Sequence, residues 1–493
     1  MRRVAALALA LSAAGCTVGP TYHRPPIAGV PAFTEAPPAG WKEAEPNEAI
    51  PRGRWWEMYN DPHLNALESR VELSNQNVIA AMARYREARD QVRIARAALF
   101  PTLTATPAVI ASHNSSTSAR GSVINANTAS SPNAVGSPTT AGGGSRVDYS
   151  MPVDLSYQAD VWGSIRRSVA ANAATAQASA ADLENAKLFY QSQLAQIYFE
   201  LHGLDADADL LRRTLTVYQQ SVQLTEDRFA AGIASGADVA LAKTQLATTR
   251  AQLIDVGVGR AQFEHAIATL IGETPASVSI PVLVVTTPPP VIPLGLPSTL
   301  MERRPDVTAM ERAIAAANEQ IGVAKAAFFP VLMLSATGGF ESTSLAQWFS
   351  LPSRFWAVGP QLAATLFDGG KRRAQLDLSE AAYDESVATY RQTVLTAFQQ
   401  VEDQLSTLRI LEQESAAEAE AVKAAQETLD IVRLQYTAGT ADYLQVIVVQ
   451  AAALQTQRQE LDILTRRRTA SVLLIEALGG GWDASQLPSQ SSK

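Results

Sequence analysis

Few residues of this chain offer themselves for chemistry. The five histidines, His23, His63, His113, His202 and His265, are scattered and lack the spacing of a metal site. No nucleophile elbow occurs, and Gly142, Gly143 and Gly144 lack the lysine that a phosphate loop needs. Arg166-Arg167 and Arg372-Arg373 open two long helical stretches, where cations oppose the helix dipole. They read as headgroup anchors or ion-pair partners. No catalytic residue, no cofactor and no metal is expected, so the chain does not read as an enzyme. With a formal charge of −8 and no basic stripe, nucleic acid is not an expected partner either.

The single cysteine has a different context. Met1-Arg2-Arg3 is basic, Val4 to Ala14 is apolar, and Ala13-Ala14-Gly15 are small. Residues 1–15 read as a secretory signal, too short to span a bilayer stably. Cys16 stands where a bacterial lipoprotein signal places its acylated cysteine, although Ala13 replaces the usual leucine. Thr17 follows, so the aspartate that retains lipoproteins in the inner membrane is absent. Lipidation at Cys16 is expected, and one cysteine excludes an intrachain disulfide.

Three aspartates carry the clearest pattern. From Val147 to Val161 every odd position is apolar, while the even positions include Asp148, Asp154 and Asp160. Such alternation means one face in an apolar medium and one in water. The run exceeds the ~9–11 residues that a tilted strand needs to cross a bilayer. If the odd face meets lipid, the three aspartates point into a lumen and favour cations modestly. Further strands at 102–112, 331–341 and 354–367 alternate less cleanly. Pro152 and Pro360 lack an amide donor, which a strand tolerates only at special places. The polar stretch 112–145 reads as a solvated loop.

The elements that hold these strands are helices. Between Gly370 and Gly439 there is neither glycine nor proline, about 68 residues or roughly 100 Å of helix. Tyr383, Val387, Tyr390, Val394, Phe398, Val401, Leu405 and Leu408 mark its apolar face. The chain also repeats itself. Ile94–Pro101 matches Val323–Pro330, Gly163–Arg167 matches Gly369–Arg373, Phe229–Gly232 matches Tyr436–Gly439, and Leu270–Gly272 matches Ala477–Gly479. Matches in one order indicate an internal duplication. The expected organisation is a signal at 1–15, an extended lipidated strap at 16–60, a first repeat at 61–275, a Pro-rich linker at 276–297, a second repeat at 298–482 and a tail at 483–493. Each repeat reads helix, strand, loop, strand, very long helix, tight turn, return helix. The first helices are expected at 63–99 and 306–329, the long helices at 164–230 and 371–438, and the return helices at 237–271 and 441–478. Gly203 marks a candidate kink.

Four strands leave two open edges, and unpaired backbone cannot face lipid. Several chains must therefore pool their strands. The sequence demands a multimer without counting its chains.

Several motifs carry a family resemblance. They are Cys16-Thr-Val-Gly-Pro-Thr-Tyr-His-Arg-Pro25, Trp55-Trp56, Asp61-Pro-His-Leu64, Gly295–Ser298, Glu302-Arg-Arg-Pro-Asp306, Ala315–Gly322, Leu366-Phe-Asp-Gly-Gly370 and Ala477–Trp482. In that order they resemble the TolC-like outer-membrane efflux factors of the lipoprotein (NodT-type) branch. The resemblance implies a mainly α fold with a membrane β part: a homotrimer giving four strands per chain to a twelve-stranded β-barrel, with long coiled-coil helices forming a periplasmic α-barrel. It implies an outer-membrane location, contact with outer-membrane lipid, and two protein partners: a periplasmic adaptor and an inner-membrane pump, often of the RND type. The function implied is passive export of small molecules.

The turns Ala231–Gly236 and Ala438–Asp442 have the glycines of left-handed helix caps, and Ser235 and Asp442 suit the starts of the return helices. The resemblance adds adaptor docking at Gly232, Ser235, Gly236, Gly439 and Thr440. It also places the pore constriction at Tyr443 and Leu444 beside Asp442, with Asp238 as a further acid. The family's next acid falls at Val448 and is missing, and Leu444 equally suits ordinary helix packing. Two other readings stand beside efflux: an outer-membrane channel for secreted polypeptides, and a non-transporting coiled-coil scaffold.

Overall fold

The computed structural model describes residues 17–26, 33–35, 38, 53–113, 145–292 and 303–487. Cys16, the expected signal, most of the strap, the bulk of the 112–145 loop, the motif 295–298 and the last tail residues lie outside them. Among the described residues the α-helices are α1 (Pro62–Ser74), α2 (Gln76–Ala97), α3 (Ser164–Ala230), α4 (Gly236–Leu270), α5 (Pro305–Ala326), α6 (Lys371–Ala438) and α7 (Tyr443–Ala477). The strands are β1 (Thr102–Ala105), β2 (Ala108–His113), β3 (Ser145–Ala159), β4 (Val331–Ser342) and β5 (Arg354–Ala363). The order α5, β4, β5, α6, α7 repeats α1–α2, β1–β2, β3, α3, α4. The long helices have 67 and 68 residues and the return helices 35 each. No helix among the described residues is long and apolar enough to cross a membrane. That leaves the sheet as the element to consider.

The chain divides into two compact units. The first comprises 1–22, 91–172 and 317–381 and contains the sheet. Its strand order is β1/β2, β3, β4, β5, antiparallel throughout. The strand expected at 102–112 is interrupted for a local reason. The Thr106 amide donates to the Pro152 carbonyl at 3.2 Å, but Pro152 has no N–H to return, so one rung is missing. The register is the same on both sides of the gap, so β1 and β2 act as one strand of a four-stranded sheet.

Each long helix begins on an aspartate–arginine staple. The Asp160 carboxylate accepts from the amides of Ile165 and Arg166 at 2.9 Å and from Arg166 Nε at 3.1 Å. Asp368 accepts from the amides of Gly370 and Arg372 and from Arg372 Nε at 2.6 Å. The Arg372 guanidinium holds the Asp368 carboxyl below its usual range. The arginine pairs that oppose the dipole are thus paired: Arg167 bonds Glu319 at 2.9 Å, and Arg373 bonds Asp377 at 3.1 Å.

The second unit comprises 23–90, 173–316 and 382–493. Its core joins Trp55, Trp56, Leu64, Leu194, Tyr198, Ile267, Val401, Leu405, Val472 and Ile475. The apolar face read on α6 lies here, with Tyr390, Val394, Val401, Leu405 and Leu408 buried. The helix expected at 63–99 is two helices. Asn75 breaks it: its Oδ1 caps the amides of Asn77 and Val78, and its Nδ2 donates to the Leu270 carbonyl at 2.8 Å. Gly203 does not end α3; its missing side chain makes room for Thr465 of α7. The Pro-rich segment is held by arginines. Arg468, buried, donates to the carbonyls of Val285 and Thr287. Arg260 donates to the Ile280 carbonyl at 2.7 Å and to Asp205 at 2.7 Å, and Asp205 also accepts the Leu283 amide. Burial alone would raise the Asp205 pKa, but its bonds to His202 and Arg260 bring it below the usual range. Arg304 donates to the Ala477 carbonyl at 2.9 Å, closing the end of α7, while Asp306 holds its other nitrogens.

Candidate channel wall, tip and constriction

Register sorts the sheet into two faces, because directly opposed residues of antiparallel strands share a side. Val147, Tyr149, Met151, Val153, Leu155 and Tyr157 of β3 fall on one side. With them fall Phe340, Ala336, Leu334 and Leu332 of β4, Trp356, Val358, Pro360 and Leu362 of β5, Leu103 of β1 and Val109 of β2. The other side carries Asp148, Ser150, Asp154, Ser156, Gln158, Thr337, Ser335, Glu341, Gln361, Thr102 and Thr104. Strands that alternate weakly in sequence thus join one continuous apolar face. That face is uncovered in the single chain: Trp356 and Val358 are each 73% exposed and Leu362 is 68% exposed.

Aromatic groups mark both ends of this face. Where the strands meet the helices, Trp162 stacks on Phe329 at 4.7 Å and donates to the Pro330 carbonyl at 2.8 Å. At the opposite end Tyr149 lies 5.6 Å from Trp348, which stacks on Phe349 at 4.8 Å. Aromatic belts flanking an apolar band are the signature of a spanning sheet.

The three aspartates read from the alternation have separate fates. Asp148 is on the polar face and pairs with Arg146 at 2.5 Å. Asp154 is on the same face and accepts from Thr337 Oγ1 at 2.6 Å. Asp160 is a correction to the strand reading: β3 ends at Ala159, and the Asp160 carboxylate caps α3.

The helix turns lie in the second unit. Gly232 has φ +76° and Gly439 φ +79°. Both turns close alike: the Ile233 amide bonds the Arg228 carbonyl, and the Thr440 amide bonds the Gln435 carbonyl, each at 2.9 Å. These are left-handed helix endings of the Schellman type. Ser235 and Asp238 form a reciprocal capping box at the start of α4, and Asp442 accepts the Gln445 amide at 2.9 Å at the start of α7. Gly232, Ser235, Gly236, Gly439 and Thr440 are all exposed, and a side chain added at Gly232 or Gly439 would meet nothing within 4 Å.

The constriction candidates separate. Leu444 is 55% exposed, and Val448, one turn on, is 60% exposed on the same side of α7. Tyr443, expected beside Leu444, is only 3% exposed, so it is removed from the wall. Its ring packs against Tyr436 at 5.3 Å with Ala242 and Val446 around it. Burial pushes its phenol up to about 12. Asp238 and Asp442 are occupied as caps. The sequence reading missed Arg228, which lies over the Tyr436 ring at 4.7 Å and donates to the carbonyls of Tyr436 and Thr437. The available signal was a difference between the copies: Arg228 aligns with Gln435.

The family model described as outer membrane efflux protein matches residues 67–273 and again 296–480. Outer membrane protein OprJ of Pseudomonas aeruginosa is 30% identical over 487 residues, 97% of this chain and 96% of that protein. The pyoverdine export outer membrane protein OpmQ of the same species is 30% identical, covering 91% and 92%. Among solved structures, the outer-membrane channel OprN superposes with a TM-score of 0.83 at 26% identity, covering 95% of this chain and 100% of that one. The outer membrane protein VceC from Vibrio cholerae superposes with a TM-score of 0.78 at 28% identity, covering 88% and 100%. With a duplicated helix–strand body, a two-faced sheet and a family model that fits both halves, this chain belongs to the outer membrane efflux protein family.

Proposed function

We propose that the chain is the outer-membrane exit duct of a tripartite efflux pump, a passive channel rather than an enzyme. The observation that carries this reading is the four-stranded sheet with one apolar face and two edges, β1/β2 and β5, that pair with nothing among the described residues. A sheet with free edges cannot stand in hydrocarbon, and four strands are too few to close on themselves. Three copies supply twelve strands, and the homotrimer closes the barrel. The apolar face meets lipid, and the face bearing Asp148 and Asp154 lines the lumen. Cys16 carries the lipid anchor, and the exposed turns at Gly232 and Gly439 receive the periplasmic adaptor, with an RND-type pump behind it. The protein is the sealed path, and the pump supplies the energy.

Purified full-length protein in planar bilayers tests the channel. Discrete conductance steps with a modest cation preference are expected, because among the described strand residues neither Asp154 nor Glu341 has an arginine opposite it, whereas Asp148 is paired with Arg146. Absence of steps, or a clear anion preference, contradicts the assignment of the faces.

A further inference from the structure

Arg354 opens β5 directly opposite Phe340, and Phe340 lies opposite Met151, so Arg354 belongs to the apolar face. Among the described strand residues it is the one arginine or lysine on that face. The other strand arginine, Arg146, is on the polar face and has Asp148. Arg354 makes no ion pair with any described residue, and among the described strand residues no acid shares its face.

Its depth is fixed by the strand. From Leu362 to Arg354 the chain covers roughly 27 Å at ~3.4 Å per residue, or about 20 Å of membrane depth at a tilt near 40°. That nearly spans the ~25 Å apolar band of an outer-membrane barrel, so Arg354 stands at the headgroup level. It is the end of the sheet opposite the helices. Around it the structure provides an apolar platform. Phe340 and Phe349 are 5.8 Å apart, Trp348 stacks on Phe349, and Trp348 Nε1 donates to the Phe340 carbonyl at 3.4 Å. Leu345, Phe349 and Leu351 of the β4–β5 connection and Trp356 are exposed.

We propose that Arg354, with Phe349 and Trp356 beside it, is a binding site for a phosphorylated, multiply acylated lipid of the outer leaflet. The guanidinium fork matches a phosphate in shape and charge. The aromatic and aliphatic platform matches acyl chains just below it. The apolar face is continuous from the platform down β5, so one lipid satisfies both. This rests on the reading of that face as lipid-facing.

Native mass spectrometry of the full-length oligomer, released from detergent after titration with diphosphorylated lipid A, tests the site. Phosphatidylcholine serves as the neutral comparison. Lipid A adducts are expected on the wild type and on Arg354→Lys, and are expected to weaken roughly tenfold or more in Arg354→Gln, the scale of one charge-assisted contact. Phosphatidylcholine adducts stay the same in all three. Equal lipid A binding by wild type and Arg354→Gln, or no lipid A adduct on the wild type, overturns the proposal. The same spectra report the oligomer mass, so loss of the trimer is distinguished from loss of the lipid site.

Discussion

The guanidinium of Arg228, at the end of α3, lies 4.7 Å from the ring centre of Tyr436, at the end of α6, and donates to the Tyr436 carbonyl at 3.1 Å. One residue of the first repeat therefore closes the C-terminus of a helix in the second, where a cation also suits the helix dipole. Tyr436 in turn packs on Tyr443, the first residue of α7. Arg228→Ala removes the cap and the cation–π contact, about 1–2 kcal/mol together. Faster hydrogen exchange in residues 433–446 is expected, with little change around Tyr198. Unchanged exchange at the turn would show that Arg228 does not hold it.

Gly232 and Gly439 have left-handed backbone but empty surroundings. Valine at either position costs backbone strain of about 1–2 kcal/mol without a clash. Such variants should still assemble, so their effect on transport reports the surface. Loss of efflux from cells with the oligomer intact on a gel is expected for an adaptor contact. Normal efflux with intact oligomer would remove docking from these turns.

Leu444 is the remaining exposed candidate for the constriction, once Tyr443 is assigned to the tip core. Leu444→Ser should raise single-channel conductance, whereas Tyr443→Phe, which keeps the ring packing, should leave it near wild type. Equal conductance for wild type and Leu444→Ser would place the narrowing elsewhere.

Glu68 on α1 is fully buried, and neither carboxyl oxygen has a hydrogen-bond partner among the described residues. Burial pushes its pKa well above the ordinary 4.5. The folded state therefore keeps the neutral acid while the unfolded chain ionises. Stability from this group is full below pH 4.5 and is lost as pH rises through the folded value. Glu68→Gln should raise the Tm more at pH 8 than at pH 5. The same shift at both values would mean that Glu68 is not a buried neutral acid.

Much of this fold was legible because it is punctuated. The long helices run from Ser164 to Ala230 and from Lys371 to Ala438, as the flanking glycines indicate, with no glycine or proline inside the second and only Gly203 inside the first. Strand β3 was legible because the alternation read from Val147 to Val161 covers all but its first two residues, although it runs past the strand's end at Ala159. What resisted reading was governed by partners distant in sequence. β5 shows its apolar side only when register sets Trp356 against Gly338 and Val358 against Ala336. The break at Asn75 depends on a carbonyl 195 residues away. Asp160 continues the alternation in sequence but serves the helix that follows, and Tyr443 sits beside an exposed leucine while its own ring turns into the core.

The proposed duct requires the two-faced sheet to be completed by other copies of the same chain. The mass of the detergent-extracted protein, measured by light scattering with the detergent contribution subtracted, tests it most directly. Three copies of the 52.6 kDa chain, less the signal, are expected, with precipitation when detergent is withdrawn. A monodisperse single chain that stays in solution without detergent would contradict it.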